Sequence, residues 1–130
     1  MRLTVHHSAD ILPYWLDSLN KLLAPDNLDR EKLLHAGQWH LATFNERVVG
    51  IAITQGEEIR YFAVRDATRR RGIGQYLLQE TLQWMRNQGC RQALISTHAA
   101  RPQEQPALSA FLLHFGFSRN GERYLHTLND

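Results

Sequence analysis

A short glycine-containing segment, Arg69-Arg70-Arg71-Gly72-Ile73-Gly74, carries the clearest chemical signal in the sequence. It lies between an apolar run that ends at Val64 and a helix-like run that begins at Gln75. A strand that leads through glycines into a helix presents unpaired backbone N–H groups at the positive end of the helix dipole. Because these donors and the dipole both favour an anion, the segment predicts a site for the phosphate or pyrophosphate of a cofactor.

The elements around this segment follow the order strand, loop, helix, strand. Glu57 to Val64 has the character of a strand, and from Gly74 the apolar residues recur at helical spacing until Gly89 ends the helix. Ala93 to Thr97 is a short apolar run that predicts a buried strand. Since a helix joins the two strands, they are expected to pair in parallel through a crossover connection.

The rest of the chain predicts further helices and antiparallel hairpins, with Arg101 to Pro106 as a loop because its two prolines disfavour regular structure. The predicted elements are a strand at 3–6, helices at 11–23, 26–34 and 107–115, a hairpin of strands at 39–44 and 48–54, and a final hairpin turning at Asn120-Gly121.

Length and composition indicate one domain spanning residues 1–130. The chain has 43% hydrophobic and 22% charged residues, which is typical of a globular core. Fifteen Lys and Arg against thirteen Asp and Glu give a net charge of +2, which argues against a nucleic-acid partner. Cys90 is the lone cysteine, and no run of roughly 18 apolar residues occurs. We expect a cytoplasmic protein with no membrane partner.

The sequence resembles the GNAT superfamily of acetyl-CoA-dependent N-acetyltransferases. The residues that carry the resemblance are Phe62-Ala63-Val64 on the strand, Arg69 to Gly74 as the (Gln/Arg)-x-x-Gly-x-Gly loop, the helix from Gln75, and Phe111 to Phe117 near the end. They occur in the family's order over about half of the chain. The alternative, a solvated arginine turn before an ordinary helix, would not require glycine at both positions.

The resemblance implies an α/β (α+β) fold of the GNAT type, with helices flanking a mixed, mostly antiparallel sheet. The sheet would be splayed at a central parallel strand pair and open after Val64. Acetyl-CoA, or CoA, would lie in the gap, with its pantetheine arm on one strand and its pyrophosphate on the loop. No metal site is predicted. The predicted cofactor-binding residues are Phe62, Ala63, Val64, Thr68, Arg69, Arg70, Arg71, Gly72, Ile73, Gly74 and Gln75.

Two positions depart from the pattern of catalytically active GNAT proteins. Many members place a tyrosine, the general acid for the thiolate of CoA, where this chain has Leu112, and an asparagine where it has Pro106. Neither residue has a side-chain proton to give. No catalytic residue is therefore assigned, and enzyme activity stays an open question.

Replacement general bases are available nearby. Glu57, Glu58 and His98 lie at strand ends that face the cofactor in the family's geometry, and any of them could accept a proton from an amine through water. The alternative interpretation is that all three are solvated surface groups.

A closer resemblance is to the small family of aspartate 1-decarboxylase maturation and regulatory factors, PanM or PanZ. It rests on Met1 to Val5, on Phe44-Asn45-Glu46-Arg47 and on Val64 to Leu78. The family binds acetyl-CoA and promotes the self-cleavage by which the proenzyme forms its pyruvoyl group. It thereby couples β-alanine supply to the acetyl-CoA level. Asn45 matches the family's partner-facing position, although asparagine is also a common turn residue.

Three hypotheses follow. The first is an acetyl-CoA-dependent regulator whose partner is the aspartate 1-decarboxylase proenzyme. The second is an active N-acetyltransferase that modifies a small amine or a protein amine. The third is a degenerate GNAT domain with an interaction role and no CoA binding. Leu112 and the Phe44 to Arg47 match favour the first hypothesis over the second.

Overall fold

Seven strands and two α-helices make up the part of the chain that the computed structural model describes, which is residues 3–8, 37–44, 47–64, 72–99 and 105–128. The strands are β1 (Leu3–Ser8), β2 (Gln38–Phe44), β3 (Arg47–Gln55), β4 (Glu58–Val64), β5 (Gln92–Ser96), β6 (Ser118–Asn120) and β7 (Arg123–Thr127). The helices are α1 (Ile73–Asn87) and α2 (Gln105–Phe115), and a 3₁₀ turn spans Thr97–Ala99.

The strands form one mixed sheet in the order β1-β2-β3-β4-β5-β7-β6. The pair β4 and β5 is parallel, and every other neighbouring pair in this described sheet is antiparallel. Helix α1 connects the two parallel strands, as a parallel pair requires. The predicted α/β fold with a central parallel pair is confirmed.

The predicted elements within the described residues are present, with shifted ends. The hairpin of β2 and β3 is confirmed. Helix α2 begins at Gln105, so the prediction that Pro106 lies in a loop is wrong. Proline is compatible with the first helical turn because its missing N–H would have no intrahelical partner there. The predicted helices at 11–23 and 26–34 lie outside the described residues.

The final turn is displaced by one residue from the predicted Asn-Gly pair. Strand β6 ends at Asn120, which pairs with Arg123, so the two turn residues are Gly121 and Glu122. Gly121 has a φ of +65°, a conformation that glycine adopts without steric cost. Asn120 therefore closes the strand, and the glycine makes the turn.

Two apolar clusters lie on the two faces of the sheet. Side chains of α1 and α2 pack with β2 to β5 in the first cluster, and the predicted apolar stripe of α1 faces it. The second cluster belongs to β2, β3 and β4, and it includes Trp39, Ile51 and Ile53, all fully buried. Successive residues of a strand point to opposite faces, so the central strands are buried on both.

The parallel pairing of β4 with β5 is short. It consists of Glu58 opposite Leu94 and Ile59 opposite Ile95. Beyond Ile59, β4 remains paired with β3 up to Val64, while β5 ends at Ser96 and the chain enters the 3₁₀ turn. The sheet therefore opens after Ile59, five residues earlier than the expected position after Val64. Of the described helices, neither is long and apolar enough to cross a bilayer.

Candidate functional site

The N-terminus of α1 is open to an anion. Its first backbone hydrogen bond runs from the Tyr76 N–H to the Gly72 carbonyl at 3.0 Å, so the N–H groups of the preceding residues have no intrahelical acceptor. The N-cap residue, Gly72, supplies no side-chain hydrogen bond, and no acidic residue lies in the first turn. The positive end of the helix dipole is therefore not compensated by a carboxylate of this turn.

Gly72 and Gly74 serve different purposes. Gly72 has φ +74° and ψ +15°, the left-handed region in which a side chain is strained, although a Cβ atom there would meet open space. A Cβ atom at Gly74 would lie 3.6 Å from Val64 Cγ2 and 3.8 Å from Phe111 Cζ. Gly72 thus permits the turn into the helix, whereas Gly74 keeps the space between strand end and helix clear.

The C-terminal half of β4 forms a wall beside this helix end. Phe62 is buried, while Ala63 and Val64 are partly exposed. From Phe62 to Val64, strand pairing among the described residues involves only the β3 edge of β4, and the opposite edge lies beyond the parallel pairing with β5. The ring centroids of Phe62 and Phe111 lie 6.1 Å apart, which links β4 to α2.

The structure brings together those predicted cofactor-binding residues that it describes: Phe62, Ala63, Val64, Gly72, Ile73, Gly74 and Gln75. Thr68, Arg69, Arg70 and Arg71 lie outside the described residues, and so does Asn45. Sequence reasoning did not assign Phe111 to this wall. Its side chain reaches Gly74 from α2, a contact that only the tertiary packing of the helix creates.

Leu112, at the family's general-acid position, is fully buried in the first apolar cluster. An aliphatic side chain without solvent contact has no proton to transfer. Pro106 is exposed in the first turn of α2 and also lacks a donor. Neither position therefore carries the tyrosine or the asparagine expected from the GNAT resemblance.

Glu57, one of the three candidate bases, has a structural role. Its carboxylate accepts hydrogen bonds from the Arg91 backbone N–H at 3.2 Å and from the Gln92 side chain at 3.3 Å. The Leu94 N–H also donates to the Glu57 carbonyl at 2.8 Å. These bonds fasten the start of β5 to the start of β4, which makes Glu57 a poor candidate for a general base.

The other two candidates, Glu58 and His98, line one cavity of about 310 Å³ at the mouth of the opened sheet. The Glu58 carboxylate lies 3.2 Å from Arg60 and 4.0 Å from Arg123, and 33% of its side chain is exposed. His98 Nε2 lies 3.9 Å from Glu122, and 69% of its side chain is exposed.

Both side chains are solvated and already have charged neighbours. A catalytic general base is usually shielded from water and points at the proton that it removes. Neither Glu58 nor His98 has these surroundings. Sequence reasoning missed Arg60, Glu122 and Arg123 as lining residues. Glu122 and Arg123 line the cavity because β7 pairs with β5 in the sheet. No cluster of three or more metal-ligating side chains occurs among the described residues.

Comparison with known families gives one match that covers nearly the whole chain. Residues 5–125 match the family model of the acetyltransferase (GNAT) domain PanZ. No protein with a curated functional description matches the sequence.

Several solved structures share the fold. The E. coli protein YhhK bound to coenzyme A is 24% identical, with a TM-score of 0.76 over 98% of this chain and 99% of its own. A GNAT family acetyltransferase from Elizabethkingia anophelis with acetyl-CoA bound is 22% identical, with a TM-score of 0.67 over 91% of this chain and 77% of its own. An aminoglycoside 6'-N-acetyltransferase complexed with coenzyme A is 16% identical, with a TM-score of 0.77 over 98% of both chains.

The fold, the helix end with its two glycines and the extent of the family match agree with one another. The match runs from β1 to β7 and includes every element of the candidate site. The chain therefore belongs to the PanZ family of GNAT acetyltransferase domains.

Proposed function

We propose that this protein is an acetyl-CoA-binding regulator that acts on the proenzyme of aspartate 1-decarboxylase. It promotes the self-cleavage that forms the pyruvoyl group, and it couples β-alanine, pantothenate and CoA synthesis to the acetyl-CoA level in the cytoplasm. The observation that carries the proposal is the match to the PanZ family over residues 5–125. A fully buried leucine at the general-acid position, Leu112, supports a regulatory role over a catalytic one.

Acetyl-CoA binding is supported by the geometry of the described residues. The end of α1, which has no side-chain cap from Gly72, suits the pyrophosphate, and the edge of β4 opposite β3 at Phe62 to Val64 suits the amide groups of the pantetheine arm. The three structures named above were each solved with coenzyme A or acetyl-CoA bound. The arginines 69–71 add positive charge to the same segment of the chain.

Regulation follows from linkage between two ligands. Cofactor contacts on β4 and α1 stabilise one arrangement of these two elements. If the proenzyme binds that arrangement better, acetyl-CoA and the proenzyme raise each other's affinity by the same factor. Asn45, which follows β2 in the sequence, is the proposed contact with the proenzyme.

The first test is cofactor-dependent complex formation. The protein is mixed with proenzyme that has a blocked cleavage site, and sedimentation velocity is recorded with and without acetyl-CoA. We expect a complex whose dissociation constant falls at least about tenfold with acetyl-CoA, within the usual range of coupling energies. Equal affinity in both conditions would contradict the linkage. Asn45→Ala should weaken the complex and leave acetyl-CoA binding unchanged, which separates the two sites.

An acetyltransferase activity is the second candidate function, and the cavity that holds Glu58 and His98 is the observation that favours it. The test is thiol release from acetyl-CoA in the presence of a panel of small amines and peptide N-termini. Amine-dependent release that is lost in Glu58→Gln would support this candidate and count against a purely regulatory role.

Leu112→Tyr is expected to create no acetyl transfer. Tyrosine is larger than leucine, and because Leu112 is fully buried, overpacking should cost about 1–3 kcal/mol of stability. The variant would also lack a convergent general base, because the Glu58 and His98 side chains are solvated. The variant is assayed for thiol release beside the unmodified protein, with thermal unfolding to show that it folds. Turnover by the folded variant would mean that only the general acid is missing.

A further inference from the structure

A buried histidine of β2 contacts a histidine of the neighbouring edge strand. His40 has no exposed surface, and it stands directly opposite His7 of β1 in the sheet register. Their Nδ1 atoms are 2.6 Å apart, which is a hydrogen-bond distance. On its other side His40 Nε2 lies 2.8 Å from the Thr54 hydroxyl of β3. Three strands are thus joined through the two imidazole rings.

The side chain of Trp84, on α1, packs against both histidines. Its ring centroid lies 4.8 Å from that of His40 at an interplanar angle of 66°, and 6.1 Å from that of His7 at 19°. One indole ring therefore meets His40 edge-on and stacks on His7. The contact links the C-terminal half of α1 to β1 and β2.

The pair of rings can hold a limited number of protons. With both rings neutral, one Nδ1–H donates to the other Nδ1, and the Thr54 hydroxyl donates to or accepts from His40 Nε2 according to the tautomer. A single added proton is compatible with this bond. If both rings are cationic, two Nδ1–H groups face each other at a distance of 2.6 Å, and no acceptor lies between them. The contact therefore excludes the second proton.

His7 and His40 lie in different environments. Partial burial lowers the pKa of His7, Glu80 of α1 opposes this shift, and the neighbouring His6 of β1 adds to it. Burial and the neighbouring His7 lower the pKa of His40 to about 3. The β3 partner, Thr54, is uncharged. The one proton that the closed pair can hold therefore goes to His7, and adding a second proton, to His40, requires the contact to open.

We propose that His7, His40 and Trp84 form an acid-sensitive latch that holds β1 and α1 together and that opens more often, as a minor state of the folded protein, when the solution is mildly acidified. In the open state both histidines are free to take a proton, so protons favour opening. The population of the open state should rise by about tenfold for each pH unit below roughly 6.5, because opening takes up one more proton than the closed state binds. This device is independent of the proposed function.

The test is hydrogen exchange of individual backbone amides between about pH 7.5 and 5, expressed as protection factors that remove the intrinsic pH dependence of exchange. We expect protection of the β1 amides to fall by up to about tenfold per pH unit, ahead of the amides of β5. In His40→Gln, which can still bond to Thr54, this fall should disappear. The matched control is His114→Gln at an exposed histidine of α2, which should behave like the unmodified protein. If the β1 amides are equally protected at both ends of this pH range, the latch proposal is wrong.

A second measurement covers the case in which His40→Gln does not fold. The Cε1 proton shifts of the unmodified protein are followed by NMR over the same pH range. In the folded protein the His40 resonance should keep the shift of a neutral ring. A His40 titration midpoint near 6.5 in the folded state would overturn the proposal.

Discussion

Replacing Gly74 with valine is expected to abolish measurable acetyl-CoA binding while the protein remains folded. A Cβ atom at this position already lies 3.6 Å from Val64 and 3.8 Å from Phe111, so the two methyl groups of valine would fill the space between strand end and helix. Backbone N–H groups at the N-terminus of α1 would then be kept away from a phosphate. Hydrogen bonds to a charged group contribute about 1.5–3 kcal/mol each, so losing two of them weakens binding by roughly 100-fold or more.

The measurement is isothermal titration of acetyl-CoA into the variant and into Gln79→Val, a matched control. Gln79 is an exposed residue further along α1, where valine lowers the helix propensity slightly and does not approach the site. Thermal unfolding of both variants shows whether the fold is intact. Unchanged acetyl-CoA affinity in a folded Gly74→Val protein would exclude this helix end as the phosphate site.

Acid is expected to destabilise the protein through His40. Its pKa is lowered from 6.5 to about 3 because the ring is buried and lies beside His7, so the folded state favours the neutral form. The unfolded chain takes up the proton below about pH 6.5. The stabilisation is therefore complete above that pH and is lost progressively as the pH falls towards 3. We expect a loss of roughly 2 kcal/mol in the free energy of unfolding between about pH 8 and pH 5.

Urea denaturation across this pH range gives the free energy of unfolding directly. Carboxylates also titrate on acidification, so the informative quantity is the difference in slope between the unmodified protein and His40→Gln. The variant should lose about 1.4 kcal/mol less per pH unit between about pH 6 and 4. Parallel curves for the two proteins would show that His40 is not the group responsible.

The elements of the site could be predicted from the sequence because local signals define them. Apolar residues at helical spacing reveal α1, and the glycines before it reveal a turn that must leave backbone donors free. The crossover from β4 to β5 follows from the helix between them. Local patterns did not reveal where the parallel pair separates, because the length of β5 and the turn after Ser96 decide it.

The contacts that join distant parts of the chain were not predictable in this way. His7 and His40 are 33 residues apart and meet only because β1 and β2 pair in one particular register. Glu122 and Arg123 enter the cavity because β7 lies beside β5. The different purposes of Gly72 and Gly74 also depend on tertiary structure. A side chain at Gly74 is restricted by the neighbouring Phe111, whereas a Cβ atom at Gly72 would meet open space.

The most direct test of the regulatory role is the rate at which the aspartate 1-decarboxylase proenzyme cleaves itself. The uncleaved proenzyme is incubated alone, with this protein, with acetyl-CoA, and with both, and mass spectrometry follows the appearance of the two product chains. Gly74→Val, which should not bind acetyl-CoA, serves as the matched control for the complete mixture. We predict that cleavage accelerates only when the unmodified protein and acetyl-CoA are both present. Cleavage at the same rate in all four mixtures, with acetyl-CoA binding shown by titration, would contradict the regulatory role.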